Sequence, residues 1–203
     1  MKVQYFPGCT LKNKAKQLDI YARQCAELLG VTMEEPAEWQ CCGGAFTSAA
    51  DEIATKLSSV RLLKTAAEQG APLVTVCSAC HNVVKQTNYA MQNDSTFADR
   101  VNCYFAQEGV SPYAGDAQVY HYLELLRDVV GFDAVKNAVK NPLAGKKIAA
   151  YYGCLLLRPS KVIAMDDPEN PRIMEDLFTA LGAEPIIWAR SNECCGGYVT
   201  AVS

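Results

Sequence analysis

Ten cysteines stand in this 203-residue chain, and most of them fall into short motifs. Cys9 closes the stretch YFPGCT. Cys41 and Cys42 are adjacent and precede Gly43 and Gly44, and Cys77 and Cys80 form a CxxC. Later, Cys154 closes YYGC, and Cys194 and Cys195 again precede two glycines, Gly196 and Gly197. Thiolates are soft ligands, suited to iron–sulfur clusters and to zinc. An adjacent pair can offer two sulfurs to neighbouring metal atoms, and the glycines let the backbone come close. A CxxC on a strand-to-helix turn points both sulfurs to one side. A lone CxxC is weak evidence. Five cysteines in this order, followed by a second Gly-Cys and a second Cys-Cys-Gly-Gly, are strong evidence. Zinc takes four ligands, commonly Cys₄, so five per unit mildly favours a cluster over a zinc-binding structural or assembly module.

A disulfide framework is the competing use of so many cysteines. The chain is long for one, the cysteines cluster in tight motifs, and the opening MKVQYFPGCT is too short and polar for a signal peptide. No apolar run approaches the roughly 18 residues needed to cross a bilayer. The sequence therefore reads as soluble and cytoplasmic, without a membrane span. Net charge is −3 with both signs scattered, so no basic run marks a nucleic-acid partner. No phosphate loop, nucleophile elbow or dinucleotide fingerprint appears.

Other reactive side chains read as structural. Cys25 lies on an apolar helical stripe and is expected in the core. Cys103, in VNCYFA, has no paired thiol nearby and reads as structural too. His81 follows the CxxC and is expected to begin a helix, with tuning of the site by hydrogen bonding as its functional use. His121 is expected to open a helix, partly exposed. Arg158 and Lys161 follow Cys154 by four and seven residues, the spacing of one helical face. Asp166, Asp167 and Glu169 sit beside Pro168 and Pro171, which marks a turn and a helix cap.

The elements that position these residues read as α/β units. Residues 2–6 alternate like a strand. Residues 14–29 place Leu18, Tyr21, Ala22, Cys25, Leu28 and Leu29 on one helical face, and Gly30 stops that helix. Residues 50–69 form a second helix, and residues 72–76 an apolar strand running into Cys77. Residues 120–130 (YHYLELLRDVV) are the clearest helix of the middle stretch. Strand–helix–strand order with short links favours a parallel sheet. The sequence also repeats. Both YFPGC…LLG…CCGG and YYGC…ALG…CCGG run strand, Gly-Cys, helix, Leu-Gly, strand, Cys-Cys-Gly-Gly. Asn141-Pro142 and Gly145 punctuate between the copies. The expected organisation is two similar Rossmann-like subdomains, residues 1–140 with a helical insertion and residues 141–203.

The motifs YFPGCT, YYGCLLLRP, DDPENP and CCGG, with Cys, Cys-Cys-Gly and CxxC in that order, resemble the CCG-domain family, and within it the B-type subunit of heterodisulfide reductase. The resemblance implies two domains, each holding a noncubane 4Fe-4S cluster on five cysteines, with a disulfide split between the clusters. It assigns Cys9, Cys41, Cys42, Cys77 and Cys80 to the first cluster, and Cys154, Cys194 and Cys195 to the second. The second unit's own CxxC is expected near position 230, and the sequence stops at Ser203, so the second subdomain reads as truncated and the chain as inactive alone. The resemblance further implies a disulfide substrate, the CoB–CoM heterodisulfide or a related one. Electrons would come from two partners of the same enzyme family, its C-type iron–sulfur subunit and its A-type flavin subunit. Membership of a lactate- or glycolate-type oxidase is the alternative within the family. Arg158 and Lys161 are expected near the substrate cleft, where a cation would suit an anionic thiol.

Overall fold

The computed structural model describes residues 1–44 and 52–197. The sheet that carries the first unit is parallel throughout, in the order β2 (Thr32–Glu34), β1 (Lys2–Phe6), β3 (Leu73–Thr75), β4 (Val119–His121). Its central strand β1 (Lys2–Phe6) is buried from Val3 onward, as a strand covered on both faces must be. The short strands β2 (Thr32–Glu34) and β3 (Leu73–Thr75) flank it, in register Lys2↔Thr32 and Gln4↔Leu73. Helices α1 (Gly8–Asn13) and α2 (Lys16–Leu28) connect β1 to β2. Helix α3 (Glu52–Glu68) leads into β3, and α4 (Ser78–Asn93) and α5 (Ser95–Gln107) follow it. The expected second helix is thus found from Glu52 on, and its first residues lie outside the described ones.

The second unit holds a separate two-stranded parallel sheet, β5 (Lys147–Ala149) with β6 (Glu184–Ile186). Short α7 (Ser160–Ile163) and α8 (Ile173–Ala180) join them, the same strand–helix–strand order as β1 to β2. One core gathers Phe6, Ile53, Leu63, Leu73, Val84 and Phe105. Another gathers Tyr152, Leu157, Ile163, Met165 and Ile173, and Leu123 and Phe132 pack on it from the N-terminal side of residue 140. The division at 140/141 is proposed as the boundary of the sequence repeat, and packing runs across it.

Four expectations change. Val119–His121 form a strand, β4, in register with β3, before α6 (Tyr122–Glu124) and a π-helical stretch Leu125–Val130. Pairing with the free edge of β3 overrides the helical pattern at its start.

On α2 the stripe of Leu18, Tyr21 and Leu28 faces solvent, as does Cys25. The helix rests on the sheet through Ala22 and Ala26, whose small side chains permit close approach. The same inward side is partly ionic, since Tyr5 Oη donates to Asp19 at 2.8 Å and Arg23 pairs with Asp19 at 3.2 Å. Large apolar residues dominate a hydrophobic pattern, and two alanines beside an ion pair do not.

Cys103 is likewise exposed, on the outer side of α5. Residues 154–158 make a turn, with Leu157 N and Arg158 N both donating to Cys154 O, so Arg158 and Lys161 share no helix with Cys154. Pro159 disfavours helical backbone at the residue before it.

Candidate functional site

Cys9 is placed by the junction of β1 and α1. Pro7 caps the helix, and Gly8 follows in left-handed backbone, φ 68°. A Cβ on Gly8 would lie 2.6 Å from Cys80 Sγ, so only glycine brings the two cysteine loops this close. Cys77 and Cys80 are placed by the matching junction of β3 and α4. Cys77 caps α4 and Cys80 lies in its first turn.

Cys41 and Cys42 sit on the loop after β2, and three side chains tie that loop down. Glu35 accepts from Lys12 of α1 at 2.7 Å, from Arg23 of α2 at 2.7 Å and from Trp39 Nε1 at 2.8 Å. Trp39 also stands edge-on to Phe6, with 5.2 Å between ring centres. Ser58 Oγ donates to Cys41 O at 3.0 Å. These contacts hold Glu35's carboxyl below the usual range, its hydrogen bonds and cationic neighbours outweighing the opposing effect of burial.

The sulfurs pair off. Cys9 and Cys41 are 3.8 Å apart, Cys42 and Cys80 3.5 Å, and Cys154 and Cys194 3.6 Å. All ten cysteines are free thiols. A hydrogen bond from Cys80 holds the Cys77 thiol down at about 6, helped by the Ala79 and Cys80 amides at the helix start. Cys80 likewise draws Cys42 down to about 7, while its own thiol is pushed up by those two neighbours and by burial. Burial raises Cys41, and burial followed by Cys194 raises Cys154. The Gly196 amide lowers Cys194.

One cavity of about 530 Å³ is lined by Cys9, Cys41, Cys42, Cys77 and Cys80 from the first unit and by Cys154, Cys194 and Cys195 from the second. Tyr151, Tyr152, Leu155 and Leu156 complete much of its wall, and among the described residues no Asp, Glu, Lys or Arg lines it. The eight cysteines marked in the sequence thus meet at one place. Arg158 does not line it and pairs with Glu169 at 2.6 Å, and Lys161 is absent from its wall. Asp166 and Asp167 accept backbone amides of residues 167–173, the turn and cap expected of them. Among the described residues, no group of three or more His, Cys, Asp or Glu is arranged to hold a single metal ion.

Behind Cys77 and Cys80 lie both histidines, buried. His121 caps α6 as expected, but burial replaces its expected partial exposure, because β4 carries it into the sheet. Its Nε2 meets Val76 O at 2.9 Å, and its Nδ1 accepts from Leu123 N. Burial pushes it down to about 4. His81 packs edge-on against it at 5.3 Å and stands 3.4 Å from Glu124 Oε2, outside hydrogen-bonding geometry, with neither ring nitrogen partnered. Burial drives it far below the ordinary histidine range. It begins no helix but continues one, and it does not line the cavity.

Sequence reasoning missed Asn82, which donates to Leu155 O at 2.8 Å and Arg158 O at 2.7 Å. It also missed the Glu35 hub and the wall of Tyr151, Tyr152 and Leu156. A polar residue two places past the CxxC was visible, but its partners lie in the other repeat.

The cysteine-rich domain pattern of the CCG family matches residues 3–85 and 148–203, more than half of the chain and both repeats. The chain belongs to the CCG family. This CCG chain is 32% identical over 192 residues to the membrane anchor subunit of the 8-methylmenaquinol:fumarate reductase of Wolinella succinogenes, covering 95% of this chain and 66% of that one. It is 28% identical to a protein of Archaeoglobus profundus that is like the B-type subunit of heterodisulfide reductase, covering 97% of this chain and 66% of that one. It is 27% identical to the B-type subunit of a ferredoxin/F420H2-dependent CoB–CoM heterodisulfide reductase of Methanosarcina acetivorans, covering 96% of this chain and 65% of that one. The chain therefore spans about two thirds of the length of these relatives. A crystal structure of a hypothetical protein from Helicobacter pylori shares the fold with a TM-score of 0.74 at 11% identity, over 98% of this chain and 35% of that one. Among the described residues no helix is long and apolar enough to cross a membrane.

Proposed function

We propose that this chain, like the B-type subunit of heterodisulfide reductase, is part of an iron–sulfur oxidoreductase that reduces a disulfide at the cavity shared by its two cysteine sets. The observation that carries the reading is that shared cavity, with eight thiols from two repeats facing one space. Cys9, Cys41, Cys42, Cys77 and Cys80 fit a cluster as donors. They are five soft ligands, two of them with thiols drawn down to about 6 and 7, around a glycine that leaves the sulfurs room. Such a cluster, noncubane as the resemblance implies, would supply one-electron redox chemistry and a soft site for sulfur. Cys154, Cys194 and Cys195 are the donors for a second group on the facing wall.

The chain's own residues do the rest. Tyr152, Leu155 and Leu156 keep the wall apolar, which limits water around the sulfur bond. The cleavage consumes two electrons and two protons and yields two thiols. With no flavin or nicotinamide motif in the sequence, the electrons come from partners, an iron–sulfur subunit of the C type and a flavin-bearing subunit of the A type. Cysteines clustered as metal donors fit a reducing, cytoplasmic setting.

Anaerobic purification followed by iron, sulfide and zinc analysis with visible and EPR spectra tests this. About four irons per first set are expected. Colourless protein with stoichiometric zinc would replace the reading with the zinc module. A second reading is quinol oxidation, favoured by the relative at 32% identity and by the apolar Tyr151, Tyr152, Leu155 and Leu156 among the described residues of the cavity wall. Reoxidation of the reduced, iron-loaded chain by a menaquinone analogue but not by a heterodisulfide would select it.

A further inference from the structure

The two cysteine sets belong to different sheets, so the gap between them must be held at a fixed width by contacts that cross it. One crossing contact lies beside the sulfurs. Asn82 stands two residues after Cys80 in α4, and its Nδ2 donates to Leu155 O at 2.8 Å and to Arg158 O at 2.7 Å. Leu155 directly follows Cys154. The turn that Asn82 grips also closes on Cys154 itself, whose carbonyl accepts from Leu157 N at 3.1 Å and Arg158 N at 2.8 Å. A shift of either gripped carbonyl therefore carries Cys154 with it.

The amide is built for this use. It is buried, at 5% exposure. Gln86, one turn along α4, donates to Asn82 Oδ1 at 2.6 Å, which turns the NH₂ group toward the two carbonyls. All of its strongest hydrogen-bonding capacity is used, and removing it would strand two carbonyls near the interior. A second crossing contact, Arg127 Nη1 to Met165 O at 2.7 Å, involves none of these residues and provides an internal comparison.

We propose that Asn82 is a positioning residue that sets the second cysteine set against the first across the cavity. The proposal rests on the reading that both sets serve one cleft. A substrate bond that must meet sulfur-bound groups on both walls needs them at one spacing, and Asn82 supplies that spacing through the backbone next to Cys154. It touches no substrate.

The test uses the full chain, reduced and free of metal, with a short bis-thiol-reactive reagent and peptide mapping of the bridged pairs. Bridges between the first set and Cys154 report the gap, and bridges between Cys9 and Cys41 or Cys42 and Cys80 report each unit's own geometry. Asn82→Leu, of similar size without donors, and Asn82→Asp, which sets an acceptor against two acceptors, are expected to lower cross-set bridging about tenfold, the equivalent of two lost hydrogen bonds. In-set bridging stays unchanged. Asn82→Gln, which keeps the amide, restores most of the cross-set yield, and Arg127→Ala leaves it near that of the unaltered chain.

Unaltered cross-set bridging in Asn82→Leu would reduce the residue to a space-filler and overturn the proposal. So would an equal loss in Arg127→Ala, which would mean general loosening. Should Asn82→Leu fail to fold, equal yields from Asn82→Asp and Asn82→Gln overturn it alone. The readout needs no iron, so failure to bind iron sinks the proposed function and leaves the clamp standing, and the reverse outcome does the opposite.

Discussion

Cys42 and Cys80 are 5% and 3% exposed, and the loops around them are tied by Glu35, Ser58 and the first turn of α4. Cys194 and Cys195 stand exposed on a loop. The contrast follows from what carries each sulfur. In the first set, Cys9 and Cys77 sit where a parallel strand ends and a helix begins, at neighbouring positions along the sheet, so the fold converges them. Amides at the helix start also stabilise the Cys77 thiolate. In the second set, Cys154 follows β5 on a turn, and its thiol is raised by burial, without a helix start to offset it. The β3–α4 junction thus both aims Cys77 and tunes it, whereas on the loops a neighbouring thiol or a glycine amide does the tuning, as at Cys42 and Cys194.

The largest effect that would sharpen this contrast concerns iron. Replacing Cys77 with Ser should abolish iron and sulfide uptake at the first set after anaerobic reconstitution. Replacing Cys194 with Ser should leave the first set's content intact. Equal losses in both variants would collapse the distinction between the sets.

A middle-sized effect concerns acid. Both histidines of the chain lie in the first unit, buried behind Cys77 and Cys80. His121 is depressed to about 4, so between that value and the ordinary 6.5 the unfolded chain binds the proton and the folded one does not. Stability is full above pH 6.5 and falls as pH drops toward about 4, by roughly 3 kcal/mol. His81 shifts in the same direction. Urea midpoints measured across this window should fall, and His121→Gln should flatten the curve. An unchanged midpoint would show that these imidazoles are not held neutral.

The smallest effect concerns the cysteines outside the cavity. Cys25→Ser and Cys103→Ser should each change stability by less than about 0.5 kcal/mol. Metal content should not change. A loss of iron in either would enlarge the site beyond the cavity.

Much of this was legible in the sequence. The repeat, strand β1, the strand before Cys77 and the turn at Asp166–Glu169 followed from local pattern, because each is decided within a few residues. The eight cysteines were legible by type and spacing. That they line one cavity was not, since it depends on how two sheets pack. Cys25 reads as a core residue because the apolar stripe of its helix outshouts Ala22 and Ala26. His121 reads as partly exposed because nothing local reveals that Val119–His121 completes a sheet edge. Helical spacing groups Arg158 and Lys161 with Cys154 on a stretch that Pro159 keeps from being a helix. The clamp at Asn82 was invisible for a similar reason: its partners are carbonyls, which every residue has.

The chain holds two tryptophans, one per unit, and each sits close to its own cysteine set. Trp39 lies two residues before Cys41, with its indole N–H on Glu35, and Trp188 donates to Ala150 O at 2.6 Å beside Tyr151. Indole emission near an iron–sulfur chromophore is quenched by energy transfer, steeply with distance. The molecule thus carries two intrinsic reporters on one cavity, Trp39 from the first unit and Trp188 from the second, so the arrival of an absorbing group there would be seen from either side without a label.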